Sequence, residues 1–294
     1  MMDFLSFLIT GLGLGSVYAI IALGYTMVYG IAKMLNFAHG DVIMVGAYVA
    51  FFAVGKYNMP ALVAVLMSVF VCTALGVLIE RMAYKPLRKA SALSVLITAI
   101  GVSYFLQNAA QILWGTDTKI FPAKFNFGNL SLFNNQLQIS ILTIITILIC
   151  IVIMIVLTLF INKSKVGKAM RACSEDKPTA QLMGINVDTT ISITFAIGSG
   201  LAAIASVLLC ATYPAVNPTL GSMPGIKAFT AAVFGGIGSI PGAFIGGLLL
   251  GILETLAKAY ISSQMSDAIV FLVLIIVLLI KPTGLLGKKI SEKV

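Results

Sequence analysis

The chain has 294 residues, of which 60% are hydrophobic and only 10% charged, with a mean hydropathy of +1.07. Soluble domains are about 45–50% apolar and about 25% charged, so this chain lacks the polar surface that a water-soluble fold requires. That excludes a cytosolic enzyme, a disordered chain and a secreted disulfide scaffold, and a formal charge of +9 on so apolar a chain reads as basic loops orienting it in a bilayer, with no nucleic-acid partner.

In chain order, the runs apolar enough to enter a hydrocarbon core about 30 Å thick are Phe4 to Ile31, Asp41 to Val54, Pro60 to Ile79, Ser91 to Trp114, Ile139 to Ile161, Thr189 to Ala211, Ile226 to Ile240, Gly242 to Ala257 and Ala268 to Ile280. The second run and the last three are short or glycine-rich. No stretch alternates in polarity as a β-barrel strand does, and helices satisfy their own backbone in lipid. The fold class is therefore an all-α integral membrane protein, a polytopic helical bundle with broken or re-entrant segments, forming a single transmembrane domain over residues 1–294. The opening Met-Met-Asp has no basic stretch before its long apolar run, so a signal peptide is not expected.

Basic residues cluster at Arg81, Lys85, Arg88 and Lys89, at Lys163, Lys165, Lys168, Arg171 and Lys177, and at Lys281, Lys288, Lys289 and Lys293, which is 13 of the 19 in the chain. The positive-inside rule makes these three segments cytoplasmic. Nine spans satisfy that parity, with Lys33 and the C-terminus inside and the N-terminus outside. If the first two runs are one span plus a re-entrant piece, the count is eight and the N-terminus moves inside.

Within this frame the polar residues stand out. Asn36, His39 and Asp41 fall at the glycine-bounded break between the first two runs. Ionisable groups at that depth are costly and mark either a pathway or a buried pair. A break also frees a helix N-terminus, which favours a carboxylate. Asp41 is expected to cap the helix that follows, and the simpler reading has His39 and Asp41 satisfying each other or the broken backbone. Gln107, Asn108 and Gln111 form a polar patch near the end of the fourth run, facing either a conduit or a neighbouring helix. Glu80 and Glu254, near run ends, are expected to be solvated or paired. The external segment 115–138, with Asp117, Lys119, Pro122 and Lys124, is a docking surface or an ordered loop. The run Gly235 to Gly242, which includes Gly236 and Pro241, is a second interruption, read as helix packing, a hinge or part of a path. Cys72, Cys150, Cys173 and Cys210 are dispersed and there is one histidine, so no metal site, disulfide or cofactor is expected.

The loop 162–187 carries its own helix signal. Ser174 and Asp176 suit an N-cap, Pro178 a first turn, and Gly184 the position after a C-terminus. A helix there exposing Ala180, Leu182 and Met183 needs either a soluble partner or the membrane interface to cover it.

This loop, in Ala169-Met170-Arg171-Ala172, Glu175-Asp176, Ala180 and Leu182-Met183-Gly184-Ile185, resembles the coupling segment of ATP-binding-cassette importer permeases, and most of all the LivH-type permeases of branched-chain amino-acid uptake. Gly24 to Gly30, Leu35 to Asp41, Gly46 to Tyr48, Phe234 to Ala243 and Lys281 to Gly287 resemble the same family in the same order. Ala180 and Gly184 keep its coupling-segment spacing. The resemblance implies a permease subunit of the bacterial cytoplasmic membrane, paired with a second, LivM-like permease, two ATPase subunits and an extracytoplasmic binding protein. Arg171, Glu175, Asp176, Ala180, Leu182, Met183 and Gly184 would couple to the ATPase. Asn36, His39, Asp41, Gln107, Asn108, Gly235 and Gly236 are the candidate translocation residues. No phosphate-binding loop ending in Lys-Ser/Thr occurs, so the chain is not expected to be an enzyme. The carried solute and the pairing of permeases stay open at this point. A self-contained secondary transporter or channel is the alternative, though that class usually buries more ionisable groups.

Overall fold

The computed structural model describes residues 2–88, 90–122, 128–132 and 137–287. Lys89, Lys124, Lys288, Lys289 and Lys293 lie outside the described residues. The elements are α1 (Met2–Ala32), α2 (His39–Gly55), α3 (Ala61–Ile79), α4 (Ala92–Trp114), β1 (Lys119–Ile120), β2 (Asn129–Leu132), β3 (Leu137–Ser140), α5 (Ile141–Lys163), α6 (Lys165–Glu175), α7 (Lys177–Leu182), α8 (Val187–Thr212), β4 (Ala215–Val216), α9 (Ser222–Gly235), α10 (Ile240–Tyr260) and α11 (Ser266–Ile280). A π turn, Glu80–Tyr84, and a 3-10 turn, Lys85–Leu87, extend α3. Six helices are long and apolar enough to cross a membrane, and α2 and α11 are shorter apolar helices.

Each apolar run is helical. The seventh differs in its bounds: α9 starts four residues earlier, at Ser222, and stops at Gly235. The reason is local, because Gly236 and Gly238 have φ of 106° and 91°, a conformation that ends a helix and favours glycine. The sequence offered no strand, but two antiparallel pairs form outside the helices, β1 with β4 and β2 with β3.

The bundle has two ends. At one, α6, α7, the 80–88 turn and residues 281–287 gather; at the other lie residues 56–60, β1 and β4. A methyl group on Gly55 would meet Pro122 at 3.4 Å, so α2 finishes at the β1/β4 end. The chain therefore passes from end to end in nine stretches among the described residues, and α2 does not return to the end it came from.

Close helix contact is built on small residues. A methyl on Gly251 would lie 2.2 Å from the Gly15 Cα, and one on Gly247 would lie 2.4 Å from the Ala19 Cα. Small residues four apart let two helices approach until their backbones touch, the favoured solution where lipid supplies no hydrophobic drive between helices. The outward faces of α3, α5 and α11 are apolar, with Leu66, Phe70, Val152, Ile155, Leu272 and Ile276 exposed.

The two buried glutamates, Glu254 and Glu80, are both paired. The Glu254 carboxylate on α10 accepts from Tyr18 on α1 at 2.9 Å, from Lys227 on α9 at 2.8 Å and from Lys258 at 2.5 Å. Lys227 also pairs with Asp267 on α11 at 2.6 Å. Glu80 is fully buried, pairs with Arg88 and accepts from Ser192 on α8 at 2.6 Å. Arg88 and Lys85 also engage Asp188 on α8. Both glutamates are thus paired, four helices sharing one cluster and the α3 tail fastened to α8 by the other.

Removing one partner of a buried ion pair costs about 3–5 kcal/mol when the other charge is left alone, and less here because Lys258 still meets Glu254. Lys227→Met should therefore lower the unfolding temperature of the purified protein clearly, and the double change Lys227→Met with Glu254→Leu should recover much of the loss. Equal unfolding temperatures for wild type and Lys227→Met would show that the cluster bears no such strain.

Candidate translocation site and coupling helix

The centre of the bundle is a double break. After α1, residues 33–38 leave the helix, with Lys33 at φ of 57°, and run back into the protein to a turn at 37–38 before α2 begins. A methyl on Gly24 would meet His39 Nε2 at 2.7 Å and the Gly198 carbonyl oxygen at 3.2 Å, so His39 sits level with Gly24. Gly24 precedes Ala32 by eight residues, or about 12 Å at 1.5 Å per residue, which is near the middle of a hydrocarbon core about 30 Å thick. The other half repeats the design: α8 is followed by residues 213–221 and then α9. A methyl on Gly221 would lie 1.7 Å from the Gly40 carbonyl oxygen, and one on Gly225 would lie 3.0 Å from the Gly40 Cα. Two half-helices thus start at one central point and run to opposite ends of the bundle, α2 towards β1 and β4, α9 towards residues 281–287.

Polar side chains collect at this junction. The Gln107 amide nitrogen donates to Asp41 Oδ1 at 2.9 Å, Ser103 Oγ at 3.2 Å and Ser222 Oγ at 3.4 Å. Asp41 is only 2% exposed and His39 1%. Asp41 is not the cap of α2: that position is Ala38, and Asp41 lies in the first turn with its carboxylate directed to α4. Nor do His39 and Asp41 satisfy each other. His39 Nε2 and Asp41 Oδ2 both lack a hydrogen-bond partner among the described residues. Their separation has a simple cause: His39 packs edge-on against Tyr25, ring centroids 4.6 Å apart, and its ring lies over Gly24.

The remaining candidates lie elsewhere. Asn36 Oδ1 accepts from the Tyr84 hydroxyl at 2.9 Å, joining the 33–38 segment to the α3 tail. It also borders a small recess of about 10 Å³ lined by Tyr25, Tyr29, Met34, Leu35, Phe229, Ala232 and Ile237. Asn108 is exposed and donates back to the Tyr104 carbonyl at 2.7 Å, facing away from the Asp41 group. Gly235 and Gly236 are not at the junction. A methyl on Gly235 would lie 2.0 Å from the Gly242 carbonyl oxygen and one on Gly236 2.4 Å from the Gly287 nitrogen, so Gly235 lets α10 close on α9 and Gly236 lets the C-terminal segment do so.

At the far end, Ser164 caps α6 through the Gly167 N–H at 2.8 Å, and Asp176 starts α7 with Pro178 in its first turn. Ser174 caps nothing; its hydroxyl donates to the Arg171 carbonyl at 2.7 Å within α6. Arg171, Glu175 and Asp176 are exposed. Ala180, expected on the outside, is buried. Leu182 and Met183 project outward at 87% and 79% exposure, and Gly184 closes the turn with φ of 82°. Lys177 Nζ donates to the Ala32 carbonyl at 2.5 Å, fixing α7 beneath the end of α1. Burial, with Arg88 and Lys33 nearby, holds the Lys177 ammonium below the usual lysine range.

A family model described as branched-chain amino acid transport system, permease component, matches residues 7–278. The chain belongs to this permease family. It is 48% identical to the high-affinity branched-chain amino acid transport system permease protein BraD of Pseudomonas aeruginosa over 99% of this chain and 98% of that one. To LivH of Salmonella typhimurium the identity is 46% over 99% and 98%, and to the probable LivH of Methanocaldococcus jannaschii 32% over 91% and 88%.

In this permease several central residues carried no sequence signal. Ser103 reads as an ordinary polar position in the fourth apolar run, Ser222 falls outside the runs, and Lys227 sits at the edge of the seventh. Tyr25 and Tyr84 were indistinguishable from packing aromatics. Only the glycines at 40 and 221, each beside a break, hinted at a close backbone approach.

That approach leaves no room for a side chain. Gly221→Ala should lower the yield of monodisperse protein and its unfolding temperature, whereas Gly101→Ala, on an α4 face with nothing within 4 Å, should leave both near wild type. Equal behaviour of the two variants would contradict the packing described.

Proposed function

We propose that this permease is one membrane subunit of an ATP-binding-cassette importer, moving branched-chain or related amino acids handed over by an extracytoplasmic binding protein. The single observation that carries the energetic part is α7. A short helix pinned to α1 by Lys177 presents Leu182 and Met183 to solvent, and apolar residues in that position need an apolar cleft on a partner. Two ATPase subunits would supply the cleft and the hydrolysis, since the chain holds no phosphate-binding loop; it acts as a transport subunit and not as an enzyme, and it needs no cofactor. A second, LivM-like permease would complete the path.

The proposed orientation follows from charge. The end bearing α6 and α7 also carries Arg81, Lys85, Arg88, Lys163, Lys165, Lys168, Arg171, Lys177 and Lys281, so it faces the cytoplasm of a bacterial inner membrane, with the C-terminus on that side. The described residues 115–122 then face outward, β1 pairing with β4 on the side where a binding protein docks. The whole chain acts as a single transmembrane permease domain, with 162–187 as its coupling segment. The proposed path passes the half-helix junction, with Asp41, His39 and Gln107 at its narrowest point and Asn36 beside the aromatic recess below.

Force has a short route through this arrangement. Displacement of α7 reaches Ala32 through Lys177, then the 33–38 segment, then the first turn of α2. A rigid helix passes on displacement that a flexible loop would absorb.

Met183→Asp and Leu182→Asp should each reduce co-purification of the ATPase with the permease by about tenfold or more, equivalent to about 1.4 kcal/mol or more, while membrane insertion is unchanged. Gly184→Val, which forces a branched residue into φ of 82°, and Arg171→Glu should do the same less severely. Full ATPase recovery from the aspartate variants would defeat the coupling role. In proteoliposomes, uptake of L-leucine should require the ATPase, the binding protein and ATP together; accumulation by this chain alone would favour a self-contained transporter.

A further inference from the structure

The Asp41 carboxylate is a buried charge without a counter-charge. Among the described residues it makes no ion pair, although Glu80, Asp188, Glu254 and Asp267 each have a basic partner. Its Oδ2 has no hydrogen-bond partner and the residue is 98% buried by the same measure that leaves it 2% exposed. A carboxylate in that setting is costly unless a cation meets it. Structural cost alone would favour a neutral residue here, as the rest of the junction has.

What stands in for the cation is the Gln107 amide. One nitrogen faces three oxygens from three different helices: Asp41 on α2 at 2.9 Å, Ser103 on α4 at 3.2 Å and Ser222 on α9 at 3.4 Å. An amide nitrogen has two N–H donors and cannot serve three acceptors fully, whereas an ammonium group has three. The distances are those of N–H···O bonds and are too long for a metal ion. The anionic carboxylate also excludes the carboxylate end of an amino acid from this spot, even though two helix N-termini lie beside it.

We propose that Asp41, Ser103 and Ser222 form a cradle for the α-ammonium group of the transported amino acid, and that the Gln107 amide occupies the cradle when no solute is there. The proposal rests on the reading of the chain as an amino-acid permease and adds where, and by which end, the solute is held. The solute's ammonium displaces the amide and supplies the charge that Asp41 lacks, so the site is neutral only when loaded. Its aliphatic part would then lie towards Tyr25 and Phe229, whose rings are 5.7 Å apart.

The test uses the assembled permease–ATPase complex in nanodiscs. All four native cysteines are buried, so Gln107→Cys gives a labelling site over a low background, with Asn108→Cys on the outer face of α4 as control. At ten times its Kd, L-leucine should slow reaction of the Gln107→Cys thiol with a small methanethiosulfonate about tenfold, because about one site in ten stays free. Isoamylamine, which keeps the ammonium and lacks the carboxylate, should protect; isocaproate, which keeps the carboxylate and lacks the ammonium, should not. Adding Asp41→Asn should weaken protection by about ten- to a hundredfold, the range of a hydrogen bond to a charged group. Protection by isocaproate equal to that by leucine, protection unaffected by Asp41→Asn, or a Gln107→Cys thiol unreactive in every nucleotide state would each overturn the cradle. These outcomes are separate from the underlying reading: ATP-driven leucine uptake by the wild-type complex can succeed while the cradle fails, and its absence would remove the permease reading itself.

Discussion

The structure depends on one constraint: a backbone broken at membrane depth has to find every hydrogen bond, and every close contact, within the protein. Lipid offers no partners for free N–H and C=O groups. Here two breaks are brought face to face, so that each covers the other. The Gly40 carbonyl lies against Gly221 with no space for a side chain between them, and α1 and α8 cross just above and below at Gly24 and Gly198. Every other long helix can be understood as a wall around that junction. The innermost, α1, α2, α8, α9 and α10, are held by glycines and small residues, while α3, α4, α5 and α11 keep apolar faces outward.

The same constraint explains where charge is spent. Half-helices are short and need tethers beyond their own packing. For α9 the tether is Lys227, shared between Glu254 on α10 and Asp267 on α11. For the segment leading into α2 it is Asn36, held by Tyr84 from the α3 tail, which is in turn held to α8 through Glu80, Arg88 and Asp188. Helix α7 joins this chain of contacts at Ala32. Rigid links therefore run from the exposed Leu182–Met183 tip to the first turn of α2, where the Asp41 carboxylate has no counter-ion among the described residues.

How much of this was legible in the sequence divides along physical lines. Apolar length located the six long helices, because a bilayer sets the length of a helix that crosses it, while the short runs that hold α2, α9 and α11 left eight or nine spans open. Cap chemistry located α7, since Asp176, Pro178 and Gly184 act on their own neighbours. Ser164 acts the same way for α6, and the lysine-rich stretch after it concealed that helix. Long-range features were out of reach. That Asp41 would meet Gln107, 66 positions away, and not its near neighbour His39, depends on how α4 leans across α2. That Ala180 would turn inward and Gly235 would pack against Gly242 likewise depends on tertiary approach. The glycine runs announced close contact without saying between which helices.

The most direct measurement of the central claim is a distance across the junction during the ATP cycle. Spin labels placed at Tyr104 on α4 and Met223 on α9, both exposed and flanking the Gln107–Ser222 contact, report the gap that a solute must enter. If an ATPase acting on α7 opens the half-helix junction, the interlabel distance distribution of the assembled complex shifts between the nucleotide-free and ATP-trapped states, and Met183→Asp abolishes the shift. A distribution that stays the same in both states would contradict it.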